Sequence, residues 1–454
     1  MNAYVDNQIT ILSPTYDVEE KLTNLLSFDN PEYIQRERMG KWLGNTPRKL
    51  SLVKRSWDRI IVPFGMLSFV FETGMPCHNA TESGGIGRFQ YGTSISYYDY
   101  QETAISAAIS RRNGVIVAPC GSGKTQIGLE IIRRLGGRAL WLTHTEDLLK
   151  QSLERACNTL DLPESDYGTI TAGKINVGKV ITFATVQTMA NIDLAEQKRL
   201  YDIVIVDEAH HVVGTPTRMQ MFYKVVSSLA ARYKFGLTAT PQRQDGLIGC
   251  MYAILGEKIY EITKAQVKEH TCPVSVIFRE TGYVPDFERV TDSDGTLNFT
   301  SLVNDLCDDE DRNAVILNDI RCADGACLVL TDRVSHVQRL ASNLGDDALA
   351  LSAKSRKADR KAALDAIRSG EKRVLVATYA LAREGLDLPN LRNVFMTTPQ
   401  KNEAVVIQSA GRVERKFAGK ARGIVYDYVD NFGIGRGWAN KRKSFYRKCD
   451  FDIA

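Results

Sequence analysis

No stretch of the chain approaches the ~20 consecutive apolar residues that a bilayer-crossing helix requires. Met1 to Asp17 carries acidic and polar residues where a secretory leader would carry a basic run and an apolar core. The expectation is a chain with no membrane partner that stays in the cytoplasm where it is made. Cysteine pairing is also lacking. The nine cysteines are odd in number, none forms a CxxC pair, and only Cys322 and Cys327 stand near one another. That pattern argues against a structural zinc site and for small buried thiols in a reducing compartment. A large excess of one charge is missing too: net charge is +4, too slight to name a polyanionic partner by itself. With 44% hydrophobic residues over 454 positions, the chain can fill two or three cores, since one domain takes roughly 100–200 residues.

Charge is present in patches. Residues 35–59 hold eight Lys/Arg against Glu37 and Asp58, with Trp42 and Trp57 among them. Residues 411–454 hold eleven Lys/Arg against five acids, interspersed with Trp438, Phe445 and Tyr446. Basic side chains neutralise phosphates and aromatic rings stack on exposed bases, although such runs are often only solvated faces.

The middle of the chain repeats one grammar. Short apolar runs at 114–118, 138–142, 180–183, 203–206 and 234–237 alternate with helical stretches at 125–135 and 146–160. The same alternation returns in strand-like runs at 326–330, 373–377, 393–396 and 423–426, with helix-like stretches at 334–344, 357–367 and 403–413. Continuous apolar strands separated by helices are what a parallel sheet covered on both faces needs. The predicted fold is therefore α/β, with two tandem parallel-sheet domains at 93–264 and 265–436. A small accessory domain (1–92), read as DNA-binding through the basic stretch Arg36 to Arg59, precedes them and a basic tail (437–454) follows. Residues 257–311 read as a less regular zone, and the acidic cluster at 308–311 as a solvated loop or helix start.

Four motifs carry chemistry. Directly after the strand at 115–117 comes Ala118-Pro119-Cys120-Gly121-Ser122-Gly123-Lys124-Thr125, which then opens a helix. Gly121, Ser122 and Gly123 let backbone N–H groups turn onto phosphate oxygens. Lys124 reaches the terminal phosphates and the Thr125 hydroxyl holds Mg²⁺. Further on, an apolar strand ends in Asp207-Glu208. Asp207 is placed to hold Mg²⁺ and Glu208 to activate an attacking water. His210 is expected to report the phosphate state, whereas His211 reads as a surface residue. Thr238 and Thr240 end another strand, with hydroxyls suited to couple the acidic pair to movement. In the second half, Arg412 and Arg415 stand three apart, which on a helix shares one face. They are candidates to neutralise charge on a transferring phosphoryl group, with Gln408 beside them as a coupling residue.

The order of these segments, over roughly residues 97–430, resembles that of the superfamily-2 helicases. The resemblance implies two RecA-like domains, ATP and Mg²⁺ as cofactors, and hydrolysis coupled to movement on nucleic acid. Tyr100-Gln101 resembles the adenine-recognising motif, making Gln101 the adenine contact; Tyr98 stands where an arginine is often found. Asp207-Glu208-Ala209-His210 resembles the DEAH form of motif II. Thr378 and Glu384-Gly385-Leu386-Asp387 resemble motif V, which puts Gly385 and Asp387 at the nucleotide. Residues 408–415 resemble motif VI. By the same pattern Thr143, His144, Gln151, Thr185, Gln187, Thr188, Arg333 and Thr378 fall where the sugar-phosphate backbone is met. Details around 207–211 and 230–246 resemble the nucleotide-excision-repair helicase and the phage recombination helicases. That branch implies forked or branched DNA as partner, in the host cytoplasm if phage-encoded. RNA unwinding and duplex DNA translocation without strand separation remain alternatives, and protein partners stay open.

Overall fold

In a computed structural model the described residues are all except 83–87, 216–219, 240, 242, 244, 353, 384, 385 and 387. The chain divides into two compact units, Met1–Thr263 and Lys264–Ala454.

The first unit is built on an eight-stranded sheet. Its order is Lys174–Asn176, Tyr167–Thr171, Ile181–Thr185, Ala139–Thr143, Ile203–Asp207, Tyr233–Thr238, Asn113–Val117 and Lys258–Glu261. Every pairing is parallel except that of the edge strand Lys174–Asn176. The central strands are buried along their whole length, which is why they read as unbroken apolar runs. Helix Lys124–Leu135 lies against them at Gly128, where a Cβ would stand 2.6 Å from the Trp141 ring. Helix Glu146–Thr159 starts at Thr145, whose hydroxyl accepts from Leu148 N at 3.3 Å, with Glu146 and Asp147 suiting the positive end of the helix.

Residues before the glycine-rich passage form a second, five-stranded sheet in the same unit. Its order is Lys54–Ser56, Arg59–Pro63, Gln8–Leu12, Asn2–Val5 and Cys77–Asn79. These strands are short and alternate buried with solvent-facing positions, as Ile9 and Ile11 do in Gln8–Leu12. Their core runs without a break into that of the larger sheet. At the junction Gly65 meets helix Ile248–Leu255 so closely that a Cβ would stand 2.3 Å from Ala253 O. Lys234 is buried there too. Its Nζ donates to Val226 O (3.2 Å) and Asn7 O (3.3 Å) and sits 4.4 Å over the Phe64 ring. Burial pulls the Lys234 pKa down to about 7 against the opposing charge of Asp6.

The second unit has a seven-stranded, wholly parallel sheet. Its order is Ala348–Leu351, Val374–Thr378, Ala326–Thr331, Leu391–Met396, Gly423–Val429, Val274–Glu280 and Asp452–Ile453. Both units thus carry the RecA-like parallel sheet that the apolar runs imply. Three local readings change. Val274–Glu280 is a strand inside the zone read as irregular; Pro273 and the polar Ser275, Arg279 and Glu280 hide its apolar face. The final basic stretch is no free tail: it forms helix Gly433–Lys448 and strand Asp452–Ile453, and Arg442 is 2% exposed. Arg442 Nη2 lies 2.6 Å from Asp427 Oδ1, and Tyr446 donates to the same carboxylate at 2.7 Å. Finally, Arg412 and Arg415 do not share a helix face. Helix Glu403–Ala410 gives way to a 3₁₀ turn at Gly411–Glu414, and Arg415 is extended beyond it with ψ 131°. The acidic cluster is a helix start, with Asp309 accepting from Arg312 N at 2.7 Å ahead of helix Glu310–Cys322. Among the described residues no helix is long and apolar enough to cross a membrane.

Candidate active site

Strand Asn113–Val117 hands over to the glycine loop at Ala118, whose N–H donates to Thr238 O on the neighbouring strand at 2.8 Å. Gly121 and Gly123 adopt φ of +81° and +80°, the left-handed region that a side chain disfavours. Between them Ser122 is buried, and its hydroxyl donates back to Pro119 O at 2.7 Å. Gln101 braces this loop from helix Asp99–Ile109: Nε2 donates to Ser122 O at 2.9 Å, and Oε1 accepts from Tyr98 N at 3.0 Å. At Gly123 a Cβ would stand 2.4 Å from Gln101 Nε2, so the brace and the glycine require each other. Lys124 and Thr125 are the first residues of helix Lys124–Leu135, where unpaired backbone N–H groups face the loop.

The acidic pair lies close by. Lys124 Nζ is 3.2 Å from Glu208 Oε1, and Asp207 Oδ1 accepts from Glu208 N at 3.0 Å. Glu208 holds φ +49°, a left-handed conformation costly for a glutamate, where the strand Ile203–Asp207 turns into Ala209–His211. Burial, reinforced by the charge of Glu208, pushes Asp207 up to about 7 against the pull of Lys124. Burial acts on Glu208 the same way, but Lys124 and His210 outweigh it and hold that carboxyl below its ordinary range. Lys124 is raised because the attraction of Glu208 overcomes its own burial. Among the described residues Glu208 Oε2 has no hydrogen-bond partner, and its near neighbour is His210 Nδ1 at 3.4 Å. His210 Nδ1 also lies 3.1 Å from Thr238 Oγ1, linking the acidic pair to the next strand.

Two sets of contacts here were not foreseen from the sequence, although Arg243 and Asp245 belong to the stretch that carries the branch resemblance. Arg243 donates to His210 O at 2.6 Å while its guanidinium holds Asp245 at 2.9 and 2.6 Å. His211, read as a surface residue, is packed in a stack: its ring centroid is 4.7 Å from His144 and 6.2 Å from Phe222. Burial, with the neighbouring histidines, lowers the His211 pKa to about 3. Only the HH doublet hinted at this; the partners come from distant segments.

The first-unit candidates for backbone contact gather at the carboxyl ends of two adjacent parallel strands, Ala139–Thr143 and Ile181–Thr185. Thr143 Oγ1 donates to Thr145 O at 3.0 Å and is buried. Gln187 Nε2 donates to His144 O at 2.7 Å, and the Thr185 and Thr188 hydroxyls meet at 3.0 Å. Gln151 follows in helix Glu146–Thr159. In the second unit Arg333 and Thr378 stand at the ends of the adjacent strands Ala326–Thr331 and Val374–Thr378. Arg333 Nε donates to Asn304 Oδ1 at 2.6 Å, and beside it Asp332 takes Gln400 Nε2 at 3.0 Å. Gln408 lies in helix Glu403–Ala410, and Arg412 Nη1 donates to Leu386 O at 2.5 Å. Thr240, Gly385 and Asp387 lie outside the described residues.

A parallel sheet that opens a glycine loop and lysine on one strand, and an acidic pair two strands away, defines a nucleotide-hydrolysing motor. Comparison places it further. Residues 94–243 match the family model "Type III restriction enzyme, res subunit", and residues 313–416 match "Helicase conserved C-terminal domain". The chain belongs to the superfamily-2 helicases. It is 24% identical over 368 residues to the DNA 3'-5' helicase XPB of Mycobacterium tuberculosis, covering 76% of this chain and 63% of that protein. With the DNA 3'-5' translocase XPB2 of Sulfurisphaera tokodaii it shares 33% identity over 169 residues, 37% of this chain and 36% of that protein. It thus spans under two thirds of the length of both. The fold is also that of Saccharomyces cerevisiae Dbp5 bound to RNA and ADP BeF3, with TM-score 0.56, 16% identity, and 79% and 90% of the two chains covered.

Proposed function

We propose that the protein is an ATP-dependent DNA helicase or translocase that unwinds or branch-migrates forked and junction DNA. The observation that carries this is the Lys124–Glu208–Asp207 cluster at the glycine loop. Two adjacent buried carboxylates, Asp207 and Glu208, share the one lysine, and Glu208 Oε2 has no hydrogen-bond partner among the described residues. A Mg-nucleotide suits that imbalance. Among the described residues no three His, Cys, Asp or Glu side chains could hold a metal together. The Mg²⁺ would instead be held by Asp207 and Thr125 and by the nucleotide's own phosphates, which it would polarise.

In this reading Gly121, Ser122 and Gly123 present backbone N–H groups to the phosphates and Lys124 grips the terminal ones. Glu208 takes the proton of the attacking water; its lowered pKa keeps it ionised as a base. Arg412 and Arg415 neutralise charge on the transferring phosphoryl group. Gln101, by bracing Ser122, makes loop shape answer to adenine. His210 and Thr238 pass the state of the acidic pair to the neighbouring strand, together with Thr240 and Gln408, while Gly385 and Asp387 serve the nucleotide from motif V. Thr143, His144, Gln151, Thr185, Gln187, Thr188, Arg333 and Thr378 hold the sugar-phosphate backbone, where hydroxyl and amide groups suit binding without base selectivity.

DNA is favoured over RNA by the relatives of the XPB type, whose names state DNA. The test is ATP hydrolysis and strand displacement with single-stranded DNA, a fork, a four-way junction and matched RNA. Stimulation and unwinding by the branched DNA substrates are expected. Stimulation by RNA alone would replace DNA with RNA in this reading, and stimulation without strand displacement would leave a translocase.

A further inference from the structure

The first-unit accessory sheet carries a feature that the motor chemistry does not use. Strands Lys54–Ser56 and Arg59–Pro63 form a tight hairpin, and its turn holds Trp57 at 105% exposure. A tryptophan so displayed forgoes a large apolar burial, in contrast to Trp141, which is wholly inside. Beside it opens a cavity of about 600 Å³ lined by Ser13, Pro14, Glu19, Arg55, Trp57 and Arg59, among others. The opposite wall is fixed under strain: Ser13 adopts φ +47°, and its N–H donates to Asp58 O at 2.6 Å. A non-glycine residue held left-handed to fasten one loop to a hairpin turn indicates a shape that the sheet alone would not keep.

The two arginines that line the hollow are each paired with a carboxylate that also lines it, and both pairs are solvent-exposed. Arg55 pairs with Glu19 at 2.8 Å and Arg59 with Asp58 at 2.9 Å, and both guanidinium groups are about half exposed. Lys54 stands on the same strand, where every residue faces solvent. Exposed ion pairs of this kind contribute little, so a phosphate can replace a carboxylate at small cost. An aromatic face next to guanidinium groups is the combination that takes a base and its phosphate together.

We propose that this hollow seats one unpaired nucleotide of the polynucleotide, with its base on the Trp57 ring and its phosphate at Arg55 and Arg59. It deepens the function proposed above, resting on the reading that the chain works on a polynucleotide, and adds a contact outside both RecA-like sheets. The sequence motif carriers lie at strand ends, whereas this seat lies on a hairpin turn. Its place is to hold a displaced or tailing strand.

The test uses the full chain with a fluorescent oligothymidylate and a tailed fork. W57A is expected to lose roughly tenfold in affinity for both, as removal of one base stack does, while W57F keeps most of it. R55A/R59A is expected to flatten the salt dependence of binding by about 0.7 in log–log slope, the loss of one neutralised phosphate. Quenching of tryptophan emission on binding is expected in the wild type and diminished in W57F. Wild-type affinity in W57A, or quenching unchanged in W57F, would overturn the inference; a seat for a protein segment rather than a nucleotide gives that result. ATP hydrolysis by the wild type is measured alongside. If no polynucleotide stimulates it, the proposed function fails, whereas stimulation together with unaltered W57A binding removes only this seat.

Discussion

The two units share one architecture and use its strand ends in opposite ways. In the first, charge is gathered and left partly unsatisfied: Lys124, Asp207 and Glu208 crowd together, Asp207 is pushed up to about 7, and Glu208 takes a strained backbone. In the second, buried charge is balanced one to one. Arg442 is paired with Asp427, which Tyr446 also reaches, and Arg312 with Asp430 at 2.7 Å, although Nη1 of each arginine has no hydrogen-bond partner among the described residues. The difference teaches that a parallel sheet fixes where side chains converge, while the balance of their charge decides whether the place is structural or chemical.

Breaking that contrast should cost catalysis on one side and stability on the other. The largest effect is expected from R412A, which should lower kcat for ATP hydrolysis by about 10³–10⁵-fold with nucleotide affinity little changed. Steady-state kinetics beside nucleotide binding checks it. Next comes E208Q, expected to lower kcat by about 10²–10⁴-fold. It removes the partner of Lys124 but also relieves Asp207, so its melting temperature should change little; a marked fall would erase the contrast. R442M removes one partner of a balanced pair and should destabilise by about 3–5 kcal/mol, read by denaturant titration. The smallest effect concerns acid. His336 is buried between Thr331 Oγ1 and Asn313 Oδ1, both at 2.8 Å, and burial lowers its pKa from 6.5 to about 3. Its neutral form is what the fold holds, so its contribution is complete above 6.5 and is lost as pH falls from there toward 3. H336N should flatten the decline of stability with acid by up to one proton over that window.

Which parts were legible in the sequence follows from the same physics. Ile203–Asp207 and Asn113–Val117 are buried on both faces, so their composition alone announces them. Gln8–Leu12 shows only half its residues to a core, and so the accessory sheet reads as scattered apolar runs. Val274–Glu280 is obscured because its second half reaches solvent. At Arg412 and Arg415 the spacing suggests one helix face, yet helix Glu403–Ala410 tightens at Gly411 and places Arg415 beyond it. The glycine loop and the acidic pair are visible as local strings, whereas the Gln101 brace, the left-handed Glu208 and the His144–His211 stack need the fold to bring segments together.

The central claim is that Lys124 and Glu208 act on one nucleotide whose hydrolysis a polynucleotide drives. It is tested most directly by measuring ATP turnover of wild type and E208Q with and without single-stranded DNA, at equal occupancy by nucleotide. The expected result is a wild-type rate raised by DNA and an E208Q protein that binds ATP but turns it over at a small fraction of that rate. An E208Q protein that hydrolyses ATP like the wild type and responds equally to DNA would contradict it.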